Sequence, residues 1–225
     1  MTSGPPPYPR TPYLWPVAEH PARLVLSAAA AELWLHEPVV VEEKLDGANV
    51  SLWWDDGVHV ASRGGVGSMD RAGQLGRLRA WTAERVEPLR GLLADGWVLY
   101  GEWLWLRHTV AYDRLPDWLV ALDLWHPQHE VANWSTRDAR CAAAGVLLPP
   151  RLFEGVLKER QAVLLLLTAS RFSSTDPAEG LVLRSRDGRR CKLVAAGFNR
   201  HDDSAWARGR IHNALAPLEL PDAAG

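Results

Sequence analysis

The sequence predicts an α+β domain, with antiparallel sheets and helices packed outside them. Two hairpin signals and one capping signal lead to that class. Asp55-Asp56-Gly57 joins strand-like residues 50–54 to 58–63, and Asp187-Gly188 joins 179–185 to 189–194. Both are short turns between β-branched or apolar runs. Ser135-Thr136-Arg137-Asp138 has the form of a capping box, expected to open a helix that Gly145 stops.

The elements follow in order. Residues 1–22 hold many prolines, and Pro5-Pro6-Pro7-Tyr8-Pro9 reads as an extended arm leading into a single domain over 23–225. The arm is expected as a lead-in rather than a core element. An alanine-rich helix is expected over 24–35, with Ser27 as its cap and Pro38 closing it off. Val39-Val40-Val41-Glu42-Glu43 is strand-like, Lys44-Leu45-Asp46-Gly47-Ala48-Asn49 makes a loop, and strand character resumes at 50–54. A flexible Gly64-Gly65-Val66-Gly67 follows the first hairpin. Residues 71–93 are expected to be helical, burying Leu75, Leu78, Trp81, Val86 and Leu89. Further strands are expected over 97–107 and 118–124, and a second helix over 154–169.

Bulk properties exclude several classes. The chain of 225 residues can bury a substantial core, and 47% hydrophobic with 23% charged residues is the balance of a folded, soluble protein. No run approaches the roughly 20 apolar residues of a membrane helix, and the N-terminus lacks a signal pattern. No membrane partner and a cytoplasmic location are therefore expected. Cys141 and Cys191 lie far apart with no CxxC, which indicates neither a disulfide framework nor a cysteine-rich zinc site. A net charge of -2 excludes a protein that coats nucleic acid through bulk positive charge, so any polynucleotide contact needs a local basic patch.

The chemistry-bearing residues form a series. Lys44-Leu45-Asp46-Gly47 alone is a short pattern that arises by chance. It is followed, on separate strand-like runs, by Ser62-Arg63, Gly101-Glu102, Leu122-Asp123, Glu179-Gly180-Leu181-Val182-Leu183-Arg184 and Arg190-Cys191-Lys192. An amine nucleophile, carboxylates for a metal and cations for phosphate are the parts that nucleotidyl transfer requires.

The series resembles motifs I, Ia, III, IIIa, IV and V of the covalent nucleotidyltransferases, the superfamily of DNA ligases, RNA ligases and capping enzymes. Asn49 after the lysine motif is similar to the RNA-ligase form, and so is Tyr100-Gly101-Glu102-Trp103 followed by Arg107-His108, Tyr112 and Leu115-Pro116. The resemblance to ATP-dependent RNA ligases implies antiparallel sheets around an ATP cleft. It implies that Lys44 attacks ATP and carries AMP, with Lys192 and Arg190 as catalytic cations. Glu43, Asn49, Arg63, Glu102, Leu122, Glu179 and Lys192 are the further ATP-binding positions. Glu179 and Glu102 are implied to hold Mg²⁺ or Mn²⁺, and Asn49, Arg63 and His108 to contact the RNA ends. Two positions depart from the family pattern. Arg190 stands where a lysine is usual, and Leu122 stands where an aromatic residue usually stacks on adenine, with Trp118 a candidate substitute.

The implied reaction joins 5′-phosphate and 3′-hydroxyl RNA ends, with RNA end-healing enzymes as further partners. About thirty residues follow Val194, too few for the OB-fold appended in DNA ligases and capping enzymes. Two other readings stand beside it: an ATP-dependent DNA ligase, and a nucleotide- or RNA-binding module without turnover. The twelve tryptophans read mainly as core, with Trp103 and Trp105 as candidates for base stacking. His126 and His129 have no partner cysteine or acidic triplet nearby, so no metal site is expected there.

Overall fold

The computed structural model describes residues 4–16, 24–62, 73–198 and 211–217. Its strands form two antiparallel sheets. The first contains β1 (Val39–Lys44), β7 (Arg151–Gly155), β8 (Gly180–Ser185) and β9 (Arg190–Val194), in the order β7-β1-β8-β9. The second contains β2 (Ala48–Trp54), β3 (Val58–Ser62), β4 (Val98–Trp103), β5 (Leu119–His126) and β6 (Glu130–Val131), in the order β3-β2-β4-β5-β6. With helices α1 (Ala28–His36), α2 (Gln74–Ala83), α3 (Val86–Leu93), α4 (Trp134–Ala143) and α5 (Arg160–Leu164), this is the expected α+β class.

Each sheet buries its outer face under helices. Trp34 and Leu35 of α1 pack with Val39, Val41, Leu181, Leu183 and Leu193 of the first sheet. Leu75, Leu78 and Trp81 of α2 and Leu89, Leu92 and Leu93 of α3 pack with Val50, Leu52, Leu99 and Leu124 of the second. A third cluster, including Leu45, Leu104, Tyr112, Val120, Phe172 and Val194, joins the two sheets at one end of the space between them. The remaining inner faces carry charged residues and line a cleft.

Local chemistry explains most boundaries. Ser27 accepts a hydrogen bond from the Ala30 amide, capping α1 as expected. The helix expected over 71–93 is two helices, because Pro88 has no N–H to offer Glu84 and its ring cannot follow an unbroken turn. Arg85 leaves helical geometry there, and Val86, expected to be buried, is exposed. α4 starts earlier than the capping box suggests: the Asn133 side chain accepts from the Thr136 amide and is the cap. Gly145 ends this segment at φ +64°.

The helix expected over 154–169 is mostly absent. Residues 151–155 form β7 against β1, and only 160–164 are helical. Gly155 at φ +144° and Lys158 at φ +71° break a stretch whose composition favours helix. The proline-rich arm is more than a lead-in. The Leu14 amide donates to the Lys192 carbonyl and the Lys192 amide to the Pro12 carbonyl, so the arm runs along the outer edge of β9 and buries Leu14 completely.

Candidate active site

Lys44 is the last residue of β1, and the chain turns sharply after it. The turn is held from below. The Asp46 carboxylate accepts the amides of Thr109 and Val110 at 2.7 and 3.0 Å, while the Asp46 amide donates to the Tyr112 hydroxyl at 2.8 Å. Gly47 is required by space: a Cβ there would sit 2.7 Å from the Trp103 carbonyl oxygen. Segment 104–112 therefore cradles the lysine loop, and the buried Asn213 pins that segment by donating to the Leu104 carbonyl and accepting from the Tyr112 amide.

Around the amine the structure gathers carboxylates. Lys44 Nζ lies 2.5 Å from Oε2 of Glu179, whose side chain is fully buried while that of Lys44 is 15% exposed. Glu102 reaches the same loop, accepting the Gly47 amide at 3.0 Å. Burial pushes the Glu102 carboxyl up to about 7, against the pull of Lys44. Gly180 follows Glu179 because a Cβ would fall 2.0 Å from the Leu193 carbonyl oxygen, so β8 and β9 close tightly behind the glutamate.

Strand pairing sets the rest of the cleft face. Glu42, Val182 and Lys192 lie side by side across β1, β8 and β9, two residues along from the row of Lys44, Gly180 and Val194. Lys192 thus shares the face of Lys44, with its ammonium 4.3 Å from the Tyr13 ring centroid. Asn49 pairs with Glu102 across β2 and β4 and donates to the Gly101 carbonyl at 3.3 Å. His108 is half-buried beside Thr109, within the segment that cradles the loop.

Other expected positions have different surroundings. Glu43 points away from Lys44, accepting from the Ser170 hydroxyl and the Arg171 amide, and burial raises its carboxyl above the usual range. Arg190 binds Asp123 at 3.2 Å, donates to the Pro9 carbonyl and the Thr11 hydroxyl, and covers the Tyr8 ring, so its donors face the arm. Arg63 lies outside the described residues. Leu122 is the extra residue of a β-bulge opposite the Tyr100–Gly101 step. Trp118, the candidate substitute for an adenine-stacking aromatic, packs against two of the apolar clusters instead.

At the deep end of the cleft, Asp123 and Arg184 of the motif series meet three residues to which sequence reasoning gave no part there: Glu42, Arg137 and Tyr8. Glu42 binds Arg137 and Arg184, Arg184 binds Asp123, and Asp123 accepts from the Tyr8 hydroxyl. Arg137 also donates to the Leu122 carbonyl at 2.9 Å, fixing the bulge. The available signal was a charged residue inside each apolar strand run, which burial forces to find a partner.

The donor set fits a nucleotide and a hydrated divalent ion. Leu122 and Val182 are half-buried aliphatic side chains that join none of the three apolar clusters, which suits the faces of a base. Among the described residues no three His, Cys, Asp or Glu side chains form a metal cage. The Glu102 and Glu179 pair suits an ion that takes one or two carboxylates and completes its shell with phosphate oxygens and water.

The model of the family described as RNA ligase matches residues 37–199, most of the chain and every strand of the two sheets. The chain belongs to the RNA ligase family. Solved structures agree on the fold. The Naegleria gruberi RNA ligase with pyrophosphate has a TM-score of 0.56 at 18% identity. A single-residue variant of the same ligase with ATP and Mn gives 0.56 at 17%, and a second such variant 0.54 at 16%. Each match covers 73% of this chain and 51% of the other, so the chain spans about half the length of that ligase. No curated protein matches the sequence. Among the described residues, no helix is long and apolar enough to cross a membrane.

Proposed function

We propose that this RNA ligase family member is an ATP-dependent enzyme that joins 5′-phosphate and 3′-hydroxyl RNA ends through a covalent Lys44-AMP. The observation that carries the reading is the Lys44 amine held 2.5 Å from buried Glu179 at the mouth of a cleft that also presents Glu102 and Lys192. In the first step Nζ attacks the α-phosphorus of ATP, the bond to the β-phosphate oxygen breaks, and pyrophosphate leaves. Glu179 orients the amine and is the nearest acceptor for its proton. Lys192 places positive charge on the same face for the phosphates. Mg²⁺ or Mn²⁺ at Glu102 and Glu179 would neutralise charge on the phosphate oxygens. Leu122 and Val182 hold the base between them.

AMP then passes to an RNA 5′-phosphate, and a 3′-hydroxyl displaces it to form the phosphodiester. Asn49, Arg63 and His108 are the residues proposed to meet the RNA ends in these steps. End-healing enzymes that leave 5′-phosphate and 3′-hydroxyl groups would supply the substrates. Family membership supports this reading, as do the Naegleria gruberi ligase structures with pyrophosphate and with ATP and Mn.

The test is intact-protein mass after incubation with ATP and Mg²⁺ or Mn²⁺. One AMP added to the wild type and none to Lys44→Ala is the expected result. No adduct from a folded protein purified free of AMP would overturn the first step and leave a binding module. Sealing of RNA, DNA and mixed nicks by the adenylylated protein then separates RNA ligase from DNA ligase.

A further inference from the structure

A second surface adjoins the lysine loop and takes no part in the nucleotide cleft. Trp105 lies one residue beyond Leu104, whose side chain abuts Gly47. Its indole stacks on the His212 ring with centroids 4.4 Å apart and planes 25° from parallel. The Arg77 guanidinium, from the exposed side of α2, sits 5.5 Å from the Trp105 ring centroid. Three elements distant in sequence thus build one aromatic and cationic stack.

The stack is held and presented. The Arg107 amide donates to the Ile211 carbonyl, and the Asn213 amide to the Trp105 carbonyl. Asn213 is buried, whereas its neighbours Ile211 and His212 are exposed. A segment pinned by one buried asparagine therefore offers a ring and an aliphatic side chain to solvent. Arg77 and Arg107 form no ion pair among the described residues, unlike the arginines deep in the cleft. This is a local basic patch of the kind that a chain of net charge -2 needs to meet a polyanion.

We propose that Trp105, His212 and Arg77 form a stacking platform for unpaired bases of the RNA strand beside the break, with Arg107 facing its phosphates. The proposal rests on the ligase reading for the identity of the strand. Flat rings and guanidinium planes accept any base face, so the platform holds RNA without reading its sequence. The same segment 104–112 carries the platform and, through Thr109 and Val110, grips Asp46 of the lysine loop. A strand held there meets the segment that grips the lysine loop.

The experiment measures binding of a fluorescently labelled, 5′-phosphorylated single-stranded RNA by anisotropy, without ATP, at fixed low salt. His212→Ala and Arg77→Ala lie at exposed positions and leave the apolar clusters intact. Each is expected to weaken binding about fivefold or more, the scale of one lost stacked base. His212→Phe is expected to retain affinity because it keeps the ring, and Arg77→Lys to recover only part because it keeps charge without the plane. Arg186→Ala, which removes one exposed positive charge from the β8–β9 turn, serves as the charge-matched control. Affinities within twofold of wild type for both alanine variants, or equal losses in Arg186→Ala, would overturn the platform. The mass adduct on the same wild-type preparation reports the ligase reading separately, since it requires no RNA.

Discussion

The two ends of the cleft treat buried charge in opposite ways. At the deep end Glu42 and Asp123 sit among Arg137, Arg184 and Arg190, and every carboxylate has a guanidinium. Burial alone would raise the Glu42 carboxyl, yet Arg184 and Arg137 hold it below the usual range. At the lysine end Glu179 pairs with Lys44, while Glu102 accepts the Gly47 amide and burial raises it to about 7. Saturated pairing suits a structural joint between sheets. An acid raised by burial, such as Glu102, suits a place where cations and phosphates arrive during a reaction.

The sharpest way to break this contrast is Glu42→Leu. It leaves Arg137 and Arg184 buried without their shared carboxylate and should cost about 3–5 kcal/mol in urea denaturation. A loss under 1 kcal/mol would mean that water compensates the deep end. The pH dependence follows with a definite sign. Glu42 is held below its unfolded value, so its contribution is present above about pH 4.5 and is lost as pH falls through its folded value. Acid titration of the melting temperature in wild type and Glu42→Gln should show a shallower decline in the variant.

Glu102 has the opposite sign. Its carboxyl is raised, so the folded protein holds a proton that the unfolded chain releases, and stability declines as pH rises between about 4.5 and 7. Glu102→Gln, which can still accept the Gly47 amide, should flatten that decline while reducing lysine-AMP formation. A variant that melts in parallel with wild type at pH 5 and 8 would place Glu102 among ordinary exposed carboxylates. The smallest effect is expected from Tyr8→Phe, which removes the hydroxyl donated to Asp123. The cost should be about 1 kcal/mol by thermal denaturation, with adduct formation retained.

What the sequence made legible was local. The lysine loop, the two Asp-Gly hairpins, the Ser27 cap and the order of motif residues all depend on neighbours in the chain. The structure accordingly places Lys44, Glu102, Glu179 and Lys192 around one cleft. What stayed hidden depended on distant partners. Residues 151–155 become a strand only because β1 has a free edge to pair with. Arg190 has the spacing expected of a catalytic cation, yet the arm and Asp123 engage its guanidinium. Leu14 looks like part of a proline-rich lead-in until β9 is there to receive it.

The ion-pair chain that crosses from α4 through Glu42, Arg184 and Asp123 to the arm has a geometric consequence for the spacing of the two sheets. It spans both sheets at the depth where Arg137 holds Leu122, so the gap there is gauged by guanidinium–carboxylate contact lengths rather than by apolar packing. Drawing the sheets apart there would strand buried charges. The spacing of the sheets there is therefore set by arginines, and trimming Leu122 or Val182 would leave it unchanged.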